Sequence, residues 1–178
     1  MKTILNQQQL KITIERLSHQ LIENHLDFSN TVLIGLQPRG IMLSDRIHQT
    51  VQRITGQEQI PYGKLDITFY RDDFNKTAEL HIPNQTEINF SVEGKKVVLI
   101  DDVLFTGRTI RSALDAMLDF GRPSKVELMV LVDRRFSRQL PIQPDYAGKT
   151  IDSIVTQRVK VFWKEKDGKD EVVLLDGK

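Results

Sequence analysis

"VVLIDDVLFTGRT", residues Val97–Thr109, decides how the rest of the chain is read. Its first four residues are apolar, as expected for a strand of a parallel sheet buried on both faces. Two acids follow, Asp101 and Asp102. Val103, Leu104 and Phe105 then lead to Thr106-Gly107-Arg108-Thr109. Beyond that turn, Ile110, Ala113, Leu114 and Met117 recur at helical spacing until Gly121 and Pro123 end the pattern. The first turn of a helix offers unpaired N–H groups and a partial positive charge. A phosphate there would gain backbone and Thr hydroxyl hydrogen bonds, and Gly107 would let it approach closely. Thr106 or Thr109 could equally be a plain helix N-cap. Neither the G-x-x-x-x-G-K-[ST] phosphate loop nor the G-x-G-x-x-G dinucleotide fingerprint occurs.

The two acids fit a different chemical group, because carboxylates repel phosphate. They could be solvated turn residues. They are also good acceptors for a vicinal diol, and their field favours a developing cation. A phosphorylated ribose would satisfy both halves of the stretch.

Working outward, Leu10, Ile14, Leu17 and Leu21 mark a helix over residues 7–23. "TVLIGL" (Thr31–Leu36) reads as a buried strand. It is followed by "QPRG" and a helix marked by Leu43, Ile47, Val51 and Ile54, with Gly56 as its C-terminal cap. "KLDITFY" (Lys64–Tyr70) alternates like a strand, and "KVELMVLV" (Lys125–Val132) reads as another. Residues 71–94 are polar, interrupted by Pro83, and long for a connection in a compact domain. "RVKVFW" (Arg158–Trp163) and "EVVLL" (Glu171–Leu175) flank "KDGK" as a hairpin. Alternating strands and helices predict an α/β fold with a mostly parallel central sheet. Ligands of such sheets sit beyond the carboxyl ends of the strands, here at "QPRG", "DDVLFTGRT" and "DRRF".

The 178 residues suit one domain, and the net charge of +1 does not mark a strong nucleic-acid binder. The chain has no cysteine, which excludes thiol catalysis and disulfides. With no apolar run of spanning length, a soluble cytoplasmic protein is expected, with no membrane partner.

Val97–Thr109 resembles the binding motif of the type I phosphoribosyltransferases. "GKLDITFYRDD" (Gly63–Asp73), "DDVLFTGRTIRSALDAMLDFGRPSKVELMVLVDR" (Asp101–Arg134) and "LPIQPDYAGK" (Leu140–Lys149) resemble one of their branches. It is the bifunctional pyrimidine operon regulators with uracil phosphoribosyltransferase activity, the PyrR family. The resemblance implies the type I fold, with a flexible flap over about 71–94 and a small C-terminal β hood over about 155–176, in a single domain of residues 1–178. It implies transfer from 5-phosphoribosyl 1-diphosphate to uracil, giving UMP and diphosphate. Asp101 and Asp102 would be the catalytic acids on the ribose hydroxyls. Val103, Leu104, Phe105, Thr106, Gly107, Arg108 and Thr109 would hold the 5-phosphate. Arg39 and Gly40 would form the diphosphate loop, with Arg71 and Lys76 of the flap as further contacts. Val132, Asp133 and Arg134 would lie at the base.

The implied cofactor is Mg2+, held mainly through ligand and water, so no protein metal ligand is assigned. Implied partners are a second copy of the chain (a dimer or higher), UMP or UTP, and a messenger RNA leader on a face including Arg16, His19, Arg138 and Lys149. That face departs from the regulatory relatives at Glu15, Asn24, "DRRFSRQLPIQ" and Gln143. An RNA-binding regulator with little catalysis and a purine phosphoribosyltransferase remain the alternatives.

Overall fold

Residues 1–70 and 85–177 are described by the computed structural model of the chain. Their elements run β1 (Lys2–Leu5), α1 (Gln7–His25), β2 (Thr31–Gln37), α2 (Gly40–Thr55), β3 (Tyr62–Asp66), β4 (Lys96–Leu104), α3 (Arg108–Met117), β5 (Lys125–Arg135), β6 (Tyr146–Asp152), β7 (Arg158–Phe162), α4 (Lys164–Asp167) and β8 (Glu171–Leu175). Five strands form a parallel sheet in the order β3-β2-β4-β5-β6. β1, β8 and β7 form a smaller antiparallel sheet, the hood.

The period of a strand explains why β4 is apolar throughout. Val98 and Ile100 face a core shared with α1 and α2, whereas Val97 and Leu99 face one shared with α3. The stripe Leu10, Ile14, Leu17 and Leu21 of α1 is buried as its spacing requires. Asn6 caps this helix through a capping box with Gln9. Gly56 ends α2 in the left-handed region, at φ 69°.

Several expectations need correction. β3 stops at Asp66, because the Asp66 carboxylate accepts the N–H (3.0 Å) and hydroxyl (2.6 Å) of Thr68. That local bond turns the chain into a 3-10 turn over Thr68–Tyr70, so Phe69 is exposed despite its alternation. Residues 85–94, the end of the segment expected as a flap, pack against the sheet. Glu87 and Lys64 exchange backbone hydrogen bonds, Val92 is buried, and Ile88 and Phe90 pack against the core. Arg71 and Lys76 lie outside the described residues. β5 runs on to Arg135, β6 is an additional strand, and the hairpin of β7 and β8 gains β1 as a third strand.

Candidate active site

The chain steps outward from β2 to β3 and then returns to lay β4 on the other side of β2. Such a reversal opens a crevice at the carboxyl ends of the two strands. Pairing of β2 with β4 ends at Gly35 and Ile100, while β4 continues to Leu104 along β5 alone. Asp101 and Asp102 therefore lie within β4, not at its end as the sequence implied. They sit where the neighbour on one side has turned away.

The first turn of α2 abuts this point. A Cβ on Gly40 would stand 2.5 Å from the Ile100 carbonyl oxygen and 3.1 Å from Asp101 Oδ1. Gly40 is thus required by backbone packing, not only by the approach of a ligand. The same contact brings the Arg39 charge to the acids. Burial raises the Asp101 carboxyl, and the Asp102 charge adds to the rise, while Arg39 opposes it. Burial also raises Asp102, again against Arg39. The pair is a place where hydroxyl donors or positive charge would be welcome.

The turn after β4 leaves a helix start without a side-chain cap. α3 begins at Arg108, with Gly107 at its N-cap in the left-handed region (φ 92°) and no side chain capping it. Thr109 lies inside the first turn, which removes the plain N-cap reading for it. Thr106 Oγ1 accepts the Arg108 N–H only at 3.4 Å, a long contact. A cleft of about 300 Å³ is lined by Asp101, Ser112 and every residue from Val103 to Ile110.

The segment after β5 braces this turn, a role the sequence did not reveal. Arg138 donates to the Phe105 carbonyl (2.5 Å) and pairs with Asp133. The N–H groups of Gln139 (3.0 Å) and Leu140 (3.3 Å) donate to the Thr106 carbonyl. Arg108 Nε donates to Gln139 Oε1 at 2.8 Å. Arg138, expected on the RNA face, is half-buried and braces this turn. Its nearness to Asp133 in sequence was the one available signal.

Of the residues expected at the base, Val132 is buried and Asp133 is engaged by Arg138. The Arg134 guanidinium lies over the Phe105 ring. On the expected RNA face, Arg16 donates to the Gly148 carbonyl (2.5 Å) on β6, while His19 and Lys149 are exposed.

Among families of known proteins, the phosphoribosyl transferase domain matches residues 1–166. The chain belongs to this phosphoribosyl transferase family. Relatives named bifunctional protein PyrR, from Elusimicrobium minutum and Haemophilus ducreyi, are each 45% identical over 98% of the chain and 96% of their own length. The chain is accordingly a phosphoribosyltransferase of the PyrR family. Among solved structures, a hypoxanthine phosphoribosyltransferase from Staphylococcus aureus superposes with a TM-score of 0.72 at 20% identity, covering 98% of this chain and 92% of that one. The enzyme of Trypanosoma cruzi gives 0.73 at 14% identity, covering 100% and 98%. At those identities the similarity establishes the fold, a type I phosphoribosyltransferase fold with its parallel sheet, flanking helices and small antiparallel sheet.

Proposed function

We propose that this phosphoribosyltransferase joins uracil to the ribosyl group of 5-phosphoribosyl 1-diphosphate, giving UMP and diphosphate. The observation that carries the reading is one cleft lined by the buried Asp101, whose neighbour in the chain is the equally acidic Asp102, and by the uncapped start of α3. In this mechanism the bond from the anomeric carbon to the diphosphate oxygen breaks, and a bond to uracil N1 forms as N1 gives up its proton to water. Asp101 and Asp102 accept the ribose hydroxyls, and their field stabilises the oxocarbenium-like transition state. Thr106, Gly107, Arg108 and Thr109 hold the 5-phosphate through backbone N–H groups and hydroxyls. Arg39 adds a charge-assisted donor to the diphosphate.

Among the described residues no cluster of three or more His, Cys, Asp or Glu could form a protein-only metal site. Two carboxylates beside a substrate diphosphate fit magnesium, which keeps waters and binds through few protein ligands. Asp101 and Asp102 would be its nearest protein oxygens, and when bound it neutralises charge on the leaving diphosphate.

The relatives' description as bifunctional supports a second role, binding of a messenger RNA leader in response to UMP or UTP. His19 and Lys149 remain exposed for it. The reading includes a cytoplasmic homo-oligomer. No helix among the described residues is long and apolar enough to cross a membrane.

The decisive test is diphosphate release from 5-phosphoribosyl 1-diphosphate and magnesium with a panel of free bases. Uracil should support turnover. Turnover with hypoxanthine or guanine in its place would make the enzyme a purine phosphoribosyltransferase. Salt-sensitive retention of leader RNA that tightens with UMP would support regulation, and retention indifferent to uridine nucleotides would remove that second role.

A further inference from the structure

Phe105 is gripped from two sides by consecutive residues of one strand. Asp133 anchors Arg138, which holds the Phe105 carbonyl. The Arg134 Cζ lies 3.9 Å from the centroid of the Phe105 ring. Successive strand residues point to opposite faces, so the end of β5 can reach the same loop twice.

Arg134 also reaches elsewhere. Its Nε donates to Ser153 Oγ at 2.8 Å, and one terminal nitrogen donates to the carbonyls of Ile154 (3.0 Å) and Gln157 (2.9 Å). Those acceptors all lie in the turn from β6 to the hood strand β7. The residue is only 4% exposed, and among the described residues no carboxylate pairs with it. A buried guanidinium without a counter-ion is costly. Here its partners are an aromatic face and three neutral oxygens, so one rigid planar group joins two segments far apart in sequence. The turn it holds carries Ile154 and Val155, which are 66% and 71% exposed. Arg134 is itself expected at the base, so this exposed apolar pair lies on a turn tied to that region.

We propose that Arg134 is a positioning residue that couples the phosphate loop, through the Phe105 ring, to the 153–157 turn. Occupancy of the loop by ribose 5-phosphate then fixes the turn that Arg134 ties to the expected base region. The inference rests on the phosphoribosyltransferase reading and adds communication between its two halves. A packing role alone would leave the two sites independent, and coupling makes a change at Phe105 felt by the base.

Hydrogen exchange tests the coupling without requiring turnover. Saturating ribose 5-phosphate should slow exchange at the amides of residues 153–157 in the unmodified protein. Arg134→Met keeps bulk against Phe105 but loses the hydrogen bonds, and should abolish that slowing at saturation. Slowing that survives in Arg134→Met, or is absent from the unmodified protein, overturns the coupling.

Steady-state kinetics supply a second readout should Arg134→Met fold poorly. Phe105→Leu, which alters only the loop, should raise KM for the base about fivefold, as a modest coupling free energy requires. Where Arg134→Met does fold, the double variant should be no worse than the more impaired single one, because both act along one path. A Phe105→Leu effect confined to KM for 5-phosphoribosyl 1-diphosphate, or simple additivity in the double variant, overturns the inference. If the unmodified protein does not bind ribose 5-phosphate, the functional reading and this inference fail together. If it binds without slowing exchange at the turn, the coupling alone fails.

Discussion

At the carboxyl end of the sheet, Asp101 and Asp102 are 6% and 7% exposed; near the opposite end, Glu127 of β5 is 6% exposed. Similar surface exposure has opposite consequences, because the aspartates lie deep in the chain while Glu127 lies nearer its surface and is better supplied with donors. Glu127 accepts from His25 Nε2 (2.8 Å), the Tyr146 hydroxyl (2.8 Å) and Lys125 Nζ (2.6 Å). Burial alone would raise its carboxyl, but the Lys125, Tyr146 and His25 hydrogen bonds outweigh that and hold it at about 2. The paired aspartates have one nearby cation in Arg39 and remain raised. A saturated carboxylate adds stability to the folded chain. An under-supplied pair leaves acceptor capacity for a ligand, at the end of the sheet where ligands bind.

The contrast breaks most sharply at the acid pair and the loop. Asp102→Asn with Thr106→Ala should lower kcat/KM by on the order of 10²–10³-fold. Its Tm should not fall, because one member of a repelling buried pair loses its charge. Turnover equal to that of the unmodified protein would remove both residues from the site.

Glu127→Gln should do the reverse. It should lower stability by about 2 kcal/mol, roughly 4–8 °C in Tm, with kcat/KM unchanged. The pH dependence sharpens the point. The folded value of about 2 lies below the ordinary 4.5, so the Glu127 contribution is complete above about pH 4.5. It is lost as pH falls toward 2. Thermal melts between those values should show a shallower acid limb in Glu127→Gln, whereas equal limbs would contradict the role given to the network.

Gly40→Ala tests whether the two loops must touch. Its Cβ would meet the Ile100 carbonyl at 2.5 Å. A loss of about 1–3 kcal/mol is expected from overpacking, with a rise in KM for 5-phosphoribosyl 1-diphosphate as Arg39 is displaced from the acids. Arg138→Ala should have the smallest effect, a roughly fivefold rise in the same KM from losing one charged hydrogen bond to the loop. Salt-dependent RNA retention unchanged in that variant would agree with Arg138 as a brace.

How much of this was legible depended on the range of each interaction. The apolar run of β4, the stripe of α1 and the Gly56 cap are local patterns, and they were readable. The Asp66 turn is local too, but its side-chain bond competes with a convincing alternation and wins. β6 carries Gly148, where a Cβ would stand 2.5 Å from the Leu131 carbonyl, and it gains its place only by pairing with β5. β1 has four residues and is ordered by pairing with β8 near the other end of the chain. The brace at Arg138 and the grip of Arg134 were hidden for the same reason, since a basic residue at a strand end gives no sign of the carbonyl or ring it will meet.

The sequence by itself determined the alternation of strands and helices, the acid pair, the glycine turn and the family they resemble, because spacing and residue type set those along a few consecutive residues. Only the tertiary structure decided that the acids lie inside β4, that Gly40 presses on them, and that residues after β5 hold the turn of Phe105 and Thr106. Those outcomes depend on where β2 stops pairing and which strands become neighbours, and such long-range contacts have no local sequence period.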